Sequence, residues 1–165
     1  MRFEQYLIET AVKKPIVYHG SYTDNIKKFS TKRRLTETGI RHFGSYFTDS
    51  RDMAETFGKY LYKVQLQFTK IIDMTKWPPL SADDNFIKSL PGLKPQEIDN
   101  YLRFDYRGKN SPYNVVETLD GKYDILKRWK KMGYDGIAFW EEHFSKKGIT
   151  YVPFFQRQIE ILEKL

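Results

Sequence analysis

The sequence predicts one compact α+β domain, and three observations carry that expectation. Short β-branched and aromatic runs, such as IVYH at 16–19, YLYKVQLQF at 60–68 and GIAF at 136–139, alternate with amphipathic helical segments. No internal repeat or low-complexity segment divides the 165 residues, a length that suits a single buried core. A content of 40% hydrophobic and 30% charged residues belongs to a globular chain and excludes a disordered one.

Taken in order, residues 1–9 (MRFEQYLIE) read as a short amphipathic helix, with Phe3, Tyr6 and Leu7 at i, i+3, i+4 spacing. Arg2 and Glu4 interrupt the apolar run that a secretory signal would need. Residues 10–14 read as a linker and Pro15 marks the domain entry, which gives a leader over 1–14 and a domain over 15–165. Ile16 to His19 form a Pro-led first strand. Residues 22–43 are polar, basic and irregular, a loop with a turn or two. Tyr46 and Phe47 make a short strand. Ser50 then caps a helix over 51–58, with Asp52 in the first turn and Gly58 at its end.

Tyr60 to Phe68 alternate as a strand with Tyr62, Val64, Leu66 and Phe68 on one face, and Ile71 to Asp73 continue as a buried edge. Pro78 and Pro79 break the chain. Residues 82–90 and 95–104 read as helices, the second opened by Pro95, and 105–114 reads as a loop. Tyr123 to Met132 form an amphipathic helix stopped by Gly133. The phrase GYDGIAF turns into a buried strand, and Ile149 to Leu162 is a last strand with a terminal turn.

Composition narrows the function classes. There is no Cys, hence no disulfide framework, thiolate nucleophile or thiolate metal site, which fits a reducing compartment. Three His make a zinc cluster improbable, and no metal cofactor is expected. No apolar run approaches the roughly 20 residues that span a membrane. The net charge of +7 and pI near 9.4 either favour polyanionic partners such as nucleic acid or simply keep the domain soluble. Twelve Tyr, twelve Phe and three Trp suit a core, and equally a ligand of flat heterocycles.

Two motifs stand out. Tyr18-His19-Gly20-Ser21 ends the first strand, and Gly44-Ser45-Tyr46-Phe47-Thr48-Asp49-Ser50 leads into the helix carrying Ala54 and Phe57. Together they resemble the NAD-binding half of the ADP-ribosyltransferases. The similarity points to the diphtheria-toxin and poly(ADP-ribose) polymerase branch, with the transferase domains of phage polyvalent proteins nearest; the GYDGI phrase recurs in those domains. The resemblance implies a split, mostly antiparallel β core with peripheral helices around an NAD cleft, and NAD as co-substrate.

By the same resemblance His19 grips the adenosine ribose, Gly20 holds the carboxamide of nicotinamide through its backbone, and Ser21 reaches ribose or phosphate. Tyr46 stacks on the nicotinamide, and Phe57, eleven residues later, covers the other face. Gly at 20 lets the ligand approach the backbone. The family's catalytic Glu, at the start of a late strand, is here Thr150, with Gln158-Ile159 eight residues on. Glu141 and Glu142, expected in the loop before that strand, stand ready to replace it. Between the motifs, Lys27, Lys28, Arg33, Arg34 or Arg41 could pair with the pyrophosphate or contact a nucleic-acid acceptor.

The function implied is mono-ADP-ribosylation of a host protein or nucleic acid. The alternatives are a catalytically inactive NAD- or ADP-ribose-binding module and a basic DNA-associated internal virion protein. Leu7-Ile8-Glu9 resembles the site cut by phage head-maturation proteases, which implies packaging with phage DNA in the virion interior and release into the host cytoplasm; otherwise the protein is cytoplasmic. No membrane partner is expected.

Overall fold

A computed structural model describes residues 8–9, 12–35, 41–108 and 110–165. In chain order these form β1 (Ile8–Glu9), β2 (Ile16–Ser21), β3 (Arg34–Leu35), β4 (Arg41–His42), β5 (Phe47–Thr48), α1 (Arg51–Glu55), β6 (Tyr60–Leu66) and β7 (Ile71–Asp73). There follow α2 (Asp84–Ser89), α3 (Pro95–Phe104), α4 (Pro112–Tyr123), α5 (Ile125–Lys131), β8 (Gly136–His143), β9 (Lys146–Pro153) and β10 (Ile159–Lys164). Eight strands make one sheet in the order β1-β7-β8-β9-β5-β2-β6-β10, while β3 and β4 pair separately. Only β7 and β8 run parallel in that sheet, so the core is mostly antiparallel, as expected.

The sheet narrows at β5. This two-residue strand pairs with β9 through Phe47↔Tyr151 and Thr48↔Thr150, and with β2 through Tyr18↔Thr48 alone. Two larger halves, β7-β8-β9 and β2-β6-β10, are thereby joined across a narrow seam. Side-chain alternation gives the sheet two cores. Ile72, Ile137, Phe139 and Val152 pack under Phe86, Val116, Leu119 and Trp129 of α2, α4 and α5. Val17, Tyr62, Val64, Leu66 and Phe68 gather with Phe29 in the other cluster.

Two motif phrases have structural duties, one at the seam and one at the entry of β8. The Asp49 backbone N–H donates to the Ile149 carbonyl at 3.0 Å, and its Oδ1 accepts the Ile149 N–H at 2.8 Å, which extends the β5–β9 pairing. Ser50 caps α1 by accepting the Met53 N–H at 3.2 Å. In GYDGI, the Asp135 carboxylate accepts from the Thr69 N–H at 2.7 Å, the Thr69 hydroxyl at 2.6 Å and the Lys70 N–H at 3.1 Å. That phrase stitches the β6–β7 turn to the entry of β8. Its Gly136 is required because a Cβ would meet the Phe68 ring at 2.3 Å.

Several sequence expectations are corrected. Ile8 and Glu9 pair antiparallel with Ile72 and Ile71, so they are strand where a helix was expected; residues 1–7 lie outside the described residues. With β1 on one side and β8 on the other, Ile71–Asp73 is an interior strand. The loop expected over 105–114 ends at Ser111, whose hydroxyl accepts the Asn114 N–H at 3.1 Å and opens α4. Asp124 then adopts φ 54°, a left-handed residue that separates α4 from α5 where one helix from 123 to 132 was expected. The last strand is interrupted by a 3-10 turn at Gln156–Gln158.

Gly20 has a packing reason of its own. A Cβ there would sit 1.9 Å from the Ala54 carbonyl oxygen, and one at Gly58 would sit 2.2 Å from the Ser21 carbonyl carbon. The chain of α1 thus rests on β2 with no side chain between them. Gly20→Ala is expected to cost about 3 kcal/mol through overpacking against backbone, seen as a lower urea midpoint. Gly121→Ala, on α4 with nothing within 4 Å of its Cβ, is the control and should stabilise by about 0.5–1 kcal/mol.

Candidate functional site

At the seam the sheet halves and the start of α4 enclose a cavity of about 300 Å³, at the lower bound of small-molecule sites. Both motifs contribute to it: His19 and Gly20 from β2, Tyr46 to Thr48 around β5, and Ala54 and Phe57 from the α1 segment. Tyr113, Glu141 and Thr150 complete the wall. A second cavity of about 530 Å³ adjoins it and shares His19 and Tyr46; Ser21, Lys28, Ser30 and Ser45 are among its lining residues. The first is mostly aromatic and the second is more polar, a division suited to an elongated ligand with unlike ends.

His19 stands at the boundary. Its Nδ1 lies 2.7 Å from the Tyr46 carbonyl, which only accepts, so Nδ1 carries the proton and Nε2 is the acceptor of the neutral ring. Phe29 meets the imidazole edge-on at 4.7 Å and Phe47 packs at 5.4 Å. Burial pushes the His19 pKa down, partly opposed by the Tyr46 contact. A neutral His with a free acceptor nitrogen suits a sugar hydroxyl. Ser21 caps the following turn by accepting the Thr23 N–H at 3.0 Å.

Tyr46 is fixed at its phenol end, where its oxygen accepts the Phe43 N–H at 3.1 Å and its hydroxyl bonds that of Tyr113. Burial raises its pKa to about 12, so it is a neutral ring at physiological pH. Tyr113 stacks on Phe139 at 4.7 Å with 20° between the planes. The sequence reading missed Tyr113 because it missed α4, although Ser111-Pro112 followed by Val115, Val116 and Leu119 is a helix-start signal. Phe57 does line the cavity. Against it lies His143 at 4.3 Å and 23°, held by a 2.7 Å hydrogen bond between Nδ1 and the Thr56 hydroxyl oxygen.

The position expected to hold a carboxylate is occupied by Thr150, 1% exposed, and its hydroxyl donates to Glu141 Oε2 at 2.6 Å. Glu141 was expected in a loop, but it lies in β8, opposite Gly148 of β9 and two residues from Phe139 on the same face. Gly148 lets β9 lie close against the end of β5, since a Cβ there would sit 2.6 Å from the Thr48 hydroxyl oxygen. The acid therefore enters the cavity from a rigid strand and is oriented by the residue that replaces it in sequence. Glu142 is a correction: it too lies in β8, but on the alternate face, with Lys147 at 3.7 Å. It does not line the cavity.

The basic residues between the motifs separate as well. Lys28 lines the second cavity. Arg33 is held by Asp120 at 3.1 Å and Asp124 at 2.8 Å, which ties the loop to α4. Lys27 borders other surface depressions, and the side chains of Arg34 and Arg41 lie outside the described residues. Among the described residues no group of three His, Asp or Glu is placed to hold a metal ion, and no helix is long and apolar enough to cross a membrane.

A mostly antiparallel sheet narrowed at a seam, with a His-Gly strand end facing a Tyr-Phe strand across an aromatic cavity, defines a domain of the ADP-ribosyltransferase type. The chain belongs to the family described as ADP-Ribosyltransferase in polyvalent proteins, which matches residues 13–162. Among solved structures, one described as an anti-CRISPR protein aligns with 13% identity over 92% of this chain and 96% of that chain, with a TM-score of 0.43. No curated protein matches the chain.

The depressed pKa of His19 sets a pH dependence. The unfolded chain takes up this proton near pH 6.5 and the folded one at lower pH, so the contribution is complete above pH 6.5. It is lost as the pH falls from there through the folded pKa. The His19 ring signals in an NMR titration should move only below pH 6.5. In His19→Ala, this histidine's share of the stability lost between pH 7 and pH 5 in urea melts should disappear.

Proposed function

We propose that the protein is an NAD-dependent mono-ADP-ribosyltransferase in which Glu141, presented by β8 and oriented by Thr150, is the catalytic carboxylate. The Glu141–Thr150 hydrogen bond inside the cavity carries this reading. It supplies the negative charge that Thr150 alone lacks, at a cavity shared with His19 and Tyr46.

The residues fit NAD end to end. In this reading the nicotinamide occupies the first cavity, which Tyr46, Phe57 and Gly20 all line, with its ring on the aromatic side chains and its carboxamide on the Gly20 backbone. His19 Nε2 accepts from a ribose hydroxyl at the boundary of the two cavities. The adenosine and pyrophosphate occupy the polar second cavity, where Ser21 and Lys28 provide a donor and a positive charge.

In the transfer step the bond between the ribose anomeric carbon and the nicotinamide nitrogen breaks, and its electron pair leaves with neutral nicotinamide. The ribose becomes oxocarbenium-like, and Glu141 stabilises that charge while accepting the 2′-hydroxyl hydrogen bond. An acceptor lone pair then bonds to the anomeric carbon, and the acceptor proton passes to Glu141 or to water. The acceptor is a host macromolecule, protein or nucleic acid, and the basic net charge of +7 is in keeping with the latter.

The test is transfer of labelled ADP-ribose to a bacterial lysate, read beside nicotinamide release. Glu141→Gln should lower both by about 10²–10³, the usual cost of a preorganised contact to developing charge. Thr150→Val keeps the carboxylate but frees it, and about a tenfold loss is expected for a lost orienting hydrogen bond. His19→Ala and Tyr46→Ala should raise the NAD concentration needed for half-maximal rate. NAD binding by the wild type without any nicotinamide release would sink the enzyme reading and leave a binding module.

A further inference from the structure

On the face of β8 that carries Glu141 stands an imidazole that the transfer step does not use. His143 lies two residues beyond Glu141, and residues so spaced share a strand face about 7 Å apart. Its ring stacks at 4.3 Å and 23° on Phe57, which lines the cavity. The exposed Phe144 meets it edge-on at 4.4 Å. Phe144 and Ser145, at φ 47° and 60°, make a two-residue hairpin turn, and His143 pairs with Lys146 directly before it. The imidazole is therefore carried by a paired strand at the rim of the cavity.

Two hydrogen bonds fix its tautomer. The Thr56 hydroxyl donates its one proton to the Met53 carbonyl at 2.6 Å, because a carbonyl only accepts. In its 2.7 Å contact with His143 the Thr56 oxygen must then accept, so Nδ1 is the donor. In the neutral ring the lone pair is left on Nε2. That nitrogen points away from Thr56 and has no hydrogen-bond partner among the described residues. The donor side of the ring is occupied and the basic side is open.

We propose that His143 is the base of the transfer step, its Nε2 taking the proton of the incoming acceptor as that acceptor attacks the ribose. The proposal rests on the reading of the cavity as the site of an NAD-dependent transferase. The acceptor lone pair forms the bond to the anomeric carbon. The acceptor's bond to hydrogen breaks with its electron pair staying on the acceptor atom, and the proton goes to Nε2. The resulting imidazolium still donates from Nδ1 to Thr56 and lies on the Phe57 ring, whose face attracts a cation. Being half-buried, it passes the proton on to water. Glu141 is left to hold the ribose 2′-hydroxyl, and it or water receives the acceptor proton only when His143 is absent. A hydroxyl or N–H nucleophile gains from such a base, whereas a carboxylate attacks already ionised. The acceptor is therefore a protic nucleophile.

Transfer of label from NAD to a bacterial lysate, divided by nicotinamide release, isolates the acceptor step. His143→Asn keeps a side-chain N–H for Thr56 and removes the basic nitrogen. It should lower that ratio by about 10², the low end for general-base catalysis. In His143→Ala, added imidazole should restore transfer in proportion to its concentration, and this rescue carries the test alone should His143→Asn fail to fold. The labelled product should survive neutral hydroxylamine, which cleaves the ester that a carboxylate acceptor forms.

An unchanged ratio overturns the proposal, whether both rates fall together or neither falls. So do the absence of rescue, a label lost to hydroxylamine, and wild-type protein that releases nicotinamide while labelling nothing, for then water is the acceptor. Wild-type protein that releases no nicotinamide removes the transferase reading itself, an outcome distinct from all of these.

Discussion

Phe47 and Thr48 form a backbone bridge two residues wide on which both fold and site depend. Through it β2 and β9 sit on either side of one short strand, so His19 and Thr150, 131 positions apart in sequence, line one cavity. Asp49 and Ser50 reinforce the bridge immediately after it, one by bonding β9 and the other by starting α1. A wider strand would hold the halves flush and leave no cavity between them. A break there would part the imidazole from the carboxylate. The narrowness of β5 thus shapes the cavity as well as the topology.

The electrostatics of the cavity follow from which groups are buried and which are aimed. His19 and Tyr46 are kept neutral by burial, so they contribute hydrogen bonding and a ring face rather than charge. The negative charge comes from Glu141, oriented by a neighbour on the adjacent strand. The acid stands on β8 and the hydroxyl that orients it on β9, so the pair depends on the register between the two strands. Glu141 and Thr150 are also diagonal neighbours on one face of an antiparallel pair, a geometry in which side chains meet directly.

Much of this was legible in the sequence, for identifiable reasons. The strand before Gly20, the cap at Ser50 and the Pro-led α3 all carry local signals that tertiary contacts reinforce. Ile8 and Glu9 misled because a two-residue strand is too short to show alternation, and only pairing with Ile71 and Ile72 defines it. Glu141 was read as loop because a polar end of a strand, EEH before a tight turn, has no apolar period to announce it. The break at Asp124 was hidden since left-handed backbone at a non-Gly residue leaves little trace in sequence. Tyr113 followed from missing α4. The local half of the site was therefore visible, and the half assembled by strand pairing and by a distant helix was not.

The bare contact between α1 and β2 at Gly20 and Gly58 has a consequence for how the cavity measures its contents. With no side chain in the layer beneath it, the segment ending at Phe57 has nothing compressible to sink into. On the far side, Tyr46 is anchored through its oxygen to the Phe43 backbone. Two of the aromatic residues that line the cavity, Phe57 and Tyr46, are therefore each positioned by main chain: one by the bare α1–β2 contact, the other by the Phe43 N–H.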